Sequence, residues 1–348
     1  MRGKIIVVTG ITGFIAKHVA AQLLDLGYGV RGTLRNPDKQ QQVRKSIASM
    51  CSQKALERLE MVTCDLLGDE GWQEAMEGAD ALMHLAAYVP AKEPRDPMSV
   101  VRPSLEGTER VFGFAGAAGI KRIVMTSSIA AIGYGHDIKS ASVNFTVDDW
   151  TNVEGLKGGM AYAKAKVLAE RKAWEIARKD QFNLTCICPA MVFGPAPDKD
   201  ISASMKIILR LMNRQIPFTP PGGLSVVDVR DVARIHVLSL GDDDTLDQRI
   251  IASAQYIKFT EIVGILRNEY KNIKFPGRVA SFWLLKAIGL FSRTIRLVTA
   301  DLQVVRNYDG SAGAKLLGGK YLDGKEATLS AAKSLVDLGM IKNLKQQS

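Results

Sequence analysis

Short apolar segments rich in β-branched residues alternate with amphipathic segments along the first half of the chain. Residues 5–8 form the first apolar segment, and residues 14–26 follow with apolar positions at helical spacing until Gly27. The first pattern predicts a buried strand, and the second predicts a helix with one face on the core. Further strands are predicted at 28–34, 60–63, 81–85, 123–125 and 184–187, and further helices at 38–58, 70–76, 97–118 and 160–178.

Strands that alternate with helices require crossover connections, which produce a mostly parallel sheet. We therefore predict an α/β fold: a Rossmann-type doubly wound parallel sheet with a smaller C-terminal substrate lobe. Residues 1–190 would form the dinucleotide-binding domain, with strands returning from about 224–254, and residues 191–348 would form mainly the substrate-binding lobe. The returning strands are expected near Val226 and Ile250.

One apolar segment of the second half, residues 280–291, is interrupted by Lys286. It is too short for a membrane span and predicts a packed helix. Its role as a lid, a dimer contact or plain core stays open, and a monomer and a homodimer both fit the sequence.

Composition narrows the class of partner. The 348 residues carry a formal net charge of +10, and their Lys and Arg residues are scattered. We interpret this as a basic surface with an anionic ligand, and expect neither nucleic acid nor a membrane as partner. The first predicted strand follows closely on Met1, so we expect no secretory leader and a cytoplasmic location. Because the four Cys and four His residues do not cluster, we expect no metal site.

A glycine-rich segment, Thr9-Gly-Ile-Thr-Gly-Phe-Ile-Ala16, joins the first strand to the first helix. Glycines allow the backbone to turn tightly and approach a pyrophosphate, and the helix N-terminus offers free N–H groups and a favourable dipole. Ala16 stands where a small residue permits close packing of helix on strand. The residues of this loop expected to bind a dinucleotide are Thr9, Gly10, Thr12, Gly13, Phe14 and Ile15.

The end of the second strand indicates which dinucleotide is bound. An enzyme that reads the ribose 2′-hydroxyl carries Asp or Glu there, but residues 30–36 contain no acid and two arginines. Because a guanidinium matches a phosphate, NADP(H) is favoured over NAD(H). Arg35 is the first candidate for the 2′-phosphate, with Arg31 and Lys39 as helpers. The further residues expected near the dinucleotide are Asp65, Leu66, Ala86 and Ala87.

Four tyrosines are followed by a lysine four residues later, so this spacing alone does not identify a site. The pairs are Tyr88/Lys92, Tyr162/Lys166, Tyr270/Lys274 and Tyr321/Lys325. Context favours Tyr162 and Lys166, which lie in a strongly helix-forming segment after the fifth strand. That strand ends in Thr126-Ser127-Ser128, so a strand-end serine precedes the pair.

These residue types suit the transfer of a hydride to a carbonyl. A tyrosine can donate a proton to the developing alkoxide as general acid. A phenol ordinarily titrates near pH 10, and an ammonium group beside it favours the phenolate. A strand-end serine would donate to the carbonyl oxygen and hold it near the phenol.

As a set, these motifs resemble the extended short-chain dehydrogenases/reductases, in the branch of dihydroflavonol reductase, cinnamoyl-CoA reductase and methylglyoxal/aldehyde reductase. The matching segments are residues 7–16, 30–37, 64–66, 84–87, 126–128, 162–166, 188–195 and 227–233. The resemblance implies an NADP-dependent oxidoreductase in which Ser128, Tyr162 and Lys166 are catalytic, with Ser127 as the fallback for the serine.

The resemblance has consequences for the cofactor and the substrate as well. It implies that Thr126, Tyr162 and Lys166 contact the cofactor and that the backbone from Pro189 to Val192 lines the nicotinamide. It also implies that residues 87–90 and 129–134 shape the substrate side. The substrate would be a small-molecule aldehyde or ketone, and an aromatic or flavonoid-like one is compatible.

Two other functions stay open. The first is a nucleotide-sugar or sterol-type epimerase or dehydrogenase with a retained cofactor, which Lys206, Arg210 and Arg214 would suit. The apolar face between residues 201 and 212 suits a hydrophobic substrate better, although plain core packing explains it equally well. The second is a non-enzymatic NADP-binding regulator, which the intact Tyr162 and Lys166 pair disfavours.

The assignment of Arg35 is testable by kinetics. We expect Arg35→Glu to raise the Michaelis constant for NADPH far more than that for NADH, because the introduced carboxylate repels only the 2′-phosphate. Steady-state assays with both cofactors measure this. An equal change in the two constants would show that Arg35 does not contact that phosphate.

Overall fold

Seven parallel strands form the main sheet of this computed structural model, which describes residues 3–88, 94–156, 160–290, 299 and 302–342. The strands, in chain order, are β1 Ile5–Thr9, β2 Gly29–Leu34, β3 Leu59–Thr63, β4 Ala81–His84, β5 Arg122–Thr126, β6 Ser142–Phe145, β7 Asn183–Pro189, β8 Met191–Phe193, β9 Gly223–Asp228, β10 Gln248–Ala252, β11 Gln255–Lys258 and β12 Val305–Tyr308.

Helices connect these strands. The α-helices of the described residues are α1 Phe14–Asp25, α2 Gln40–Ala48, α3 Gln53–Leu56, α4 Trp72–Met76, α5 Met98–Ala117, α6 Ala161–Asp180, α7 Met205–Met212, α8 Val229–Ser239, α9 Phe259–Glu269, α10 Phe282–Gly289, α11 Ser311–Leu316 and α12 Gly324–Asp337. Single 3₁₀ turns cover Pro37–Lys39, Ile129–Ala131 and Asp243–Thr245.

The main sheet has the strand order β10-β7-β5-β4-β1-β2-β3. All of its pairs are parallel, and its strands are almost continuously buried, as expected when helices cover both faces. Chain order runs outward in both directions from β1, so the topological switch point lies between β1 and β4, where doubly wound sheets bind their ligands. The predicted Rossmann-type fold is confirmed.

Helices α5 and α6 form one layer over this sheet. Helix α6 carries buried alanines at every fourth position, and these small side chains allow it to approach α5 closely. The alanines are Ala161, Ala165, Ala169, Ala173 and Ala177. The next stripe of the same helix consists of Tyr162, Lys166, Glu170 and Trp174. The alanine packing therefore fixes the direction in which the predicted catalytic pair points.

The chain divides into two units. The first contains residues 1–136, 147–189 and 232–252 and holds the main sheet, whereas the second contains residues 137–146, 190–231 and 253–348. The second unit has a three-stranded sheet of order β11-β9-β8 and a two-stranded sheet of β12 with β6. Strand β6 and its partner were not predicted, because the partner lies far along the chain.

Three expectations from the sequence need correction. The strand near Val226 is β9 of the small sheet and does not return to the main sheet, unlike β10 near Ile250, which pairs with β7. The helix predicted over residues 38–58 is broken into a 3₁₀ turn and two helices, since Ser52 caps α3 through the N–H of Ala55. Helix α10, which lies within the apolar segment predicted as a packed helix, is not packed core, because Trp283 is 80% exposed.

Some predicted positions lie outside the described residues. They are Val89, Pro90 and Lys92 near the predicted substrate side and Phe291 at the end of the apolar segment.

A pair of glycines provides a test of backbone strain in the first unit. Gly71, at φ +79°, begins α4, and a Cβ there would lie 2.1 Å from the carbonyl oxygen of Thr63. Gly78, at φ +66°, has no neighbour within 4 Å of the corresponding Cβ position. We expect Gly78→Ala to lower the free energy of unfolding by about 1 kcal/mol and Gly71→Ala by clearly more, as measured by urea denaturation. Equal losses would show that the contact with Thr63 relaxes without cost.

Candidate active site

The glycine loop after β1 packs directly against the residues after β4. Gly10 has φ +66°, and a Cβ on it would lie 2.9 Å from the Cα of Ala86. The hydroxyl of Thr9 accepts hydrogen bonds from the N–H groups of Leu85 and Ala86, each at 3.0 Å. Thr9 is fully buried, so its side chain holds these two loops together and does not face a ligand.

The start of α1 fits a bound pyrophosphate. Gly13 occupies the N-cap position without a described side chain capping the helix, and the first turn contains no acid. Its backbone N–H groups and the helix dipole are therefore available to an anion. Gly13 is exposed, Thr12 and Ile15 are partly exposed, and Phe14 is buried against His18. Phe14 thus serves to pack the helix, whereas Thr12, Gly13 and Ile15 lie at its accessible end.

The basic residues after β2 divide into two groups. Arg35 is exposed at the strand end and makes no ion pair with a described residue, and Lys39 lies in the following turn. Arg31, expected to help bind the 2′-phosphate, instead donates to the carbonyl oxygens of Glu74 and Glu77 at the end of α4 and pairs with Glu60. The prediction for Arg31 is wrong because the strand directs this side chain to a helix C-terminus, where cations are favoured.

A small cleft opens beside the carboxyl end of β4. It brings together several predicted residues, namely Leu66, Ala86, Ala87, Tyr162 and Lys166. Its other lining residues are His84, Tyr88, Ser104, Thr108, Met125, Ala165 and Ala169. The phenol and the ammonium of the predicted catalytic pair therefore share one cleft with the loop that contacts Gly10.

Lys166 is buried and oriented by the end of β5. Its Nζ donates to the carbonyl oxygen of Thr126 at 2.9 Å, and its side chain contributes two further N–H donors. The hydroxyl of Thr126 bonds to Nε2 of His236 at 2.7 Å, while Nδ1 of His236 lies 2.8 Å from the carbonyl oxygen of Val232. Because a carbonyl only accepts, Nδ1 carries the proton and the Thr126 hydroxyl donates. The carbonyl of Thr126 thus orients Lys166, while His236 fixes the side chain of Thr126.

The two serines after β5 face different surroundings. Ser127 is buried, and its hydroxyl donates to the carboxylate of Glu170 at 2.5 Å. Ser128 is partly exposed, and its hydroxyl accepts from the N–H of Ala130 at 3.1 Å. Ser128 does not line the cleft described above. In its bond with Ala130 the hydroxyl only accepts, so its own proton is not used there. The surroundings of Ser127 make it unsuitable as a substrate contact.

His84 is a neutral side chain in the cleft wall. Burial, with a smaller contribution from the charge of Lys166, lowers the pKa of His84 to about 3. The Thr9 hydroxyl, which already accepts two N–H groups, donates its proton to Nδ1 of His84 at 3.0 Å. The neutral ring is therefore protonated on Nε2. His84 lies in the segment 84–87 that carries the family resemblance, but no role was predicted for it.

The remaining predicted residues lie just after β3, at the end of β7 and in β8. Asp65 follows β3, and its carboxylate accepts from the N–H of Leu67 at 3.0 Å. The carbonyl oxygen of Leu66 accepts from Arg110 at 2.6 Å. Pro189 ends β7 in the first unit, and Val192 lies in β8 of the second unit. Contact of these residues with a dinucleotide stays a prediction.

Neither a metal centre nor a reactive thiol is evident among the described residues. No three His, Cys, Asp or Glu side chains of the described ranges are grouped to hold a metal. Burial, reinforced by the charge of Glu170, raises the pKa of the Cys186 and Cys188 thiols, so both stay protonated. Within the same ranges, no helix combines the length and the apolar character that crossing a bilayer requires.

Sequence reasoning missed two charged residues close to the site, Glu170 and Arg249. Arg249 Nε donates to Glu170 Oε1 at 2.7 Å, and both side chains are buried. Glu170 follows Lys166 by one helical turn, so the spacing of the helix could have revealed it. Arg249 lies on β10, and no local pattern connects it with α6.

Comparison with known proteins places the chain in a family. A model of the NAD dependent epimerase/dehydratase family matches residues 6–252. The chain belongs to this family. The predicted resemblance to the extended short-chain dehydrogenases/reductases is thereby confirmed, and with it the expectation of an NAD(P)-dependent oxidoreductase.

Two relatives agree with this membership, and a solved structure shares the fold. Tetraketide alpha-pyrone reductase 2 of Arabidopsis thaliana is 32% identical over 280 residues, covering 79% of this chain and 85% of that protein. Cinnamoyl-CoA reductase 1 of the same plant is 34% identical over 277 residues, with coverages of 79% and 77%. The structure of yeast methylglyoxal/isovaleraldehyde reductase complexed with NADPH has a TM-score of 0.78 at 24% identity, covering 97% of this chain and 100% of that one.

The neutral histidines make stability depend on pH. Burial also lowers the pKa of His236, to about 4. Both folded pKa values lie below the ordinary 6.5, so the unfolded chain binds more protons as the pH falls below 6.5. We expect the free energy of unfolding to fall between pH 6.5 and 5, by at most about 1.4 kcal/mol per pH unit for each histidine. Urea denaturation at several pH values measures this slope.

A variant isolates the contribution of His84. His84→Asn keeps an acceptor for the Thr9 hydroxyl but removes the titrating ring, so its slope should be smaller than that of the wild-type chain. Identical slopes would contradict a neutral, buried His84.

Proposed function

We propose that this protein is an NADPH-dependent carbonyl reductase that acts on an aldehyde or ketone, with Tyr162 as the proton donor. The observation that carries the proposal is the cleft in which Tyr162 and Lys166 lie together with Ala86 and Ala87. Because Ala86 contacts the glycine loop, the proton-donating pair and the proposed dinucleotide site adjoin.

The cofactor site is supported by three features of the first unit. The start of α1 has no side-chain cap and suits a pyrophosphate. Gly10 has no side chain, which allows the loop to lie close to Ala86. Arg35 offers a guanidinium to a 2′-phosphate. The yeast reductase with this fold was solved as a complex with NADPH, which is consistent with this choice. When bound, NADPH supplies the hydride that reduces the carbonyl carbon.

The residues of the chain itself would donate the proton and stabilise the group that has lost it. Tyr162 donates from its hydroxyl to the carbonyl oxygen, on which negative charge develops as the carbon is reduced. Lys166, held by Thr126, keeps a positive charge within the same cleft and stabilises the phenolate that remains. His84 adds no competing charge because it is neutral.

Ser128 completes the proposed set. Its hydroxyl accepts from Ala130 and keeps its own proton for donation to the substrate oxygen. Such a donor stabilises the oxygen most when it is fixed before the reaction. Ser127 cannot replace it, since its proton is engaged by Glu170.

The relatives indicate the class of substrate. They are named as reductases of cinnamoyl-CoA and of a tetraketide alpha-pyrone, and the yeast enzyme as a reductase of methylglyoxal and isovaleraldehyde. A carbonyl group is common to these compounds. We infer a carbonyl substrate with an apolar or aromatic body, which the largely apolar cleft lining suits.

The test is NADPH oxidation by the wild-type chain across aldehydes, ketones and flavanonols, with UDP-sugars in a parallel assay. We expect turnover of at least one carbonyl compound, and a loss of at least about 100-fold in kcat for Tyr162→Phe, which removes the proton donor. Tyr270→Phe is the matched control, because Tyr270 has the same lysine spacing outside the cleft. Undiminished turnover by Tyr162→Phe, or conversion of UDP-sugars alone, would overturn the proposal.

A further inference from the structure

A buried pair of opposite charges lies beside the strand end that carries the candidate serine. The side chains of Glu170 and Arg249 are 0% and 9% exposed, and Arg249 reaches both carboxylate oxygens, at 2.7 and 3.4 Å. Taking two charges out of water is costly, and an apolar pair of similar size would often be as stable. The pair is therefore better explained by what it holds in place than by stability.

Glu170 holds the residue before Ser128. Its Oε2 accepts from the Ser127 hydroxyl at 2.5 Å, and its Oε1 also accepts from Nε1 of Trp174 at 3.3 Å. The backbone N–H of Ser127 donates to the carbonyl oxygen of Ile187 at 2.7 Å. Ser127 is thus fixed through both its backbone and its side chain, with the side chain directed towards α6.

The direction of Ser127 determines that of Ser128. Ser128 has φ −170° and ψ 155°, an extended conformation in which neighbouring side chains point to opposite sides. Because Ser127 points towards α6, Ser128 points away from it and stays partly exposed. The bond from Ser127 to Glu170 therefore constrains the direction of Ser128 as well.

Arg249 supports the segment that follows Ser128. Its Nη1 donates to the carbonyl oxygens of Val147 and Asp149, and its guanidinium stacks on Trp150 at 3.8 Å from the ring centre. Thr151, the residue after Trp150, donates from its N–H to the carbonyl oxygen of Ala131 at 2.9 Å and from its hydroxyl to that of Ala130 at 2.8 Å. Glu170 therefore restrains the residue before Ser128, and Arg249 restrains the segment that is bonded to Ala130 and Ala131, shortly after Ser128.

We propose that Glu170 and Arg249 form a positioning pair that holds Ser128 in its reactive orientation for carbonyl reduction. This inference rests on the proposed function. Neither residue lines the cleft, so both act through Ser127 and the 147–151 segment. Their loss should reduce kcat and leave the binding of NADPH unchanged.

Ser127→Ala tests the pair with little disturbance, since it removes one hydroxyl and leaves the charges paired. We expect kcat to fall about tenfold to hundredfold, the scale of a small misplacement of a catalytic group. The dissociation constant of NADPH, measured by fluorescence titration, should change by less than about twofold. Glu170→Gln should lower kcat in the same way, because it removes the charge that pairs with Arg249. Glu175→Gln is its control and should leave kcat unchanged, since Glu175 pairs with Lys172 on the exposed side of the same helix.

A second variant separates positioning from stability. Glu170→Met with Arg249→Met removes both charges and should remain folded. We expect this double variant to bind NADPH normally and to show the same fall in kcat as Ser127→Ala. Adding Ser127→Ala to the double variant should lower kcat no further. Wild-type kcat in this folded variant, or additive losses, would overturn the positioning role.

The outcomes distinguish this inference from the function on which it rests. Normal turnover in Ser127→Ala, beside an inactive Tyr162→Phe, refutes the positioning pair alone. A wild-type chain that turns over no carbonyl compound refutes the proposed function and the pair together.

Discussion

The parallel pairing of β1 with β4 and of β4 with β5 is the constraint on which the site depends. Parallel strands end at the same edge of a sheet, so the glycine loop, the residues after β4 and the serines after β5 meet there. Helix α6 then needs only one orientation, given by its alanine stripe, to bring Tyr162 and Lys166 to that edge. The residues of the candidate site thus come from distant parts of the chain and are brought together by backbone pairing.

Local patterns in the sequence were sufficient for the parts of the site that lie within one turn or one helix. The glycine loop and the spacing of Tyr162 and Lys166 are of this kind, as is the alternation of strands and helices. Interactions between remote segments could not be predicted. The guanidinium of Arg31 is directed to α4, and β9 joins the small sheet, because in each case a partner far along the chain determines the outcome.

Three charged side chains are buried around the end of β5. Lys166, Glu170 and Arg249 are all buried, yet each has hydrogen-bonding partners that compensate for lost water. The neighbouring histidines are kept neutral by the same burial. This arrangement places Lys166 in the cleft that Tyr162 also lines, while the opposite charges of Glu170 and Arg249 compensate each other outside that cleft. The spacing of Lys166 and Glu170 on α6 alone would not provide this arrangement, because Arg249 comes from β10.

The approach of Gly10 to Ala86 limits how this sequence can vary. The atoms that a Cβ at position 10 would meet include the Cα and the backbone nitrogen of residue 86, at 2.9 and 3.2 Å. These atoms are present whatever amino acid occupies position 86. No compensating mutation at the neighbouring position can therefore rescue a larger residue in the loop. The requirement for glycine at position 10 is therefore set by the main chain and does not depend on which substrate the cleft accepts.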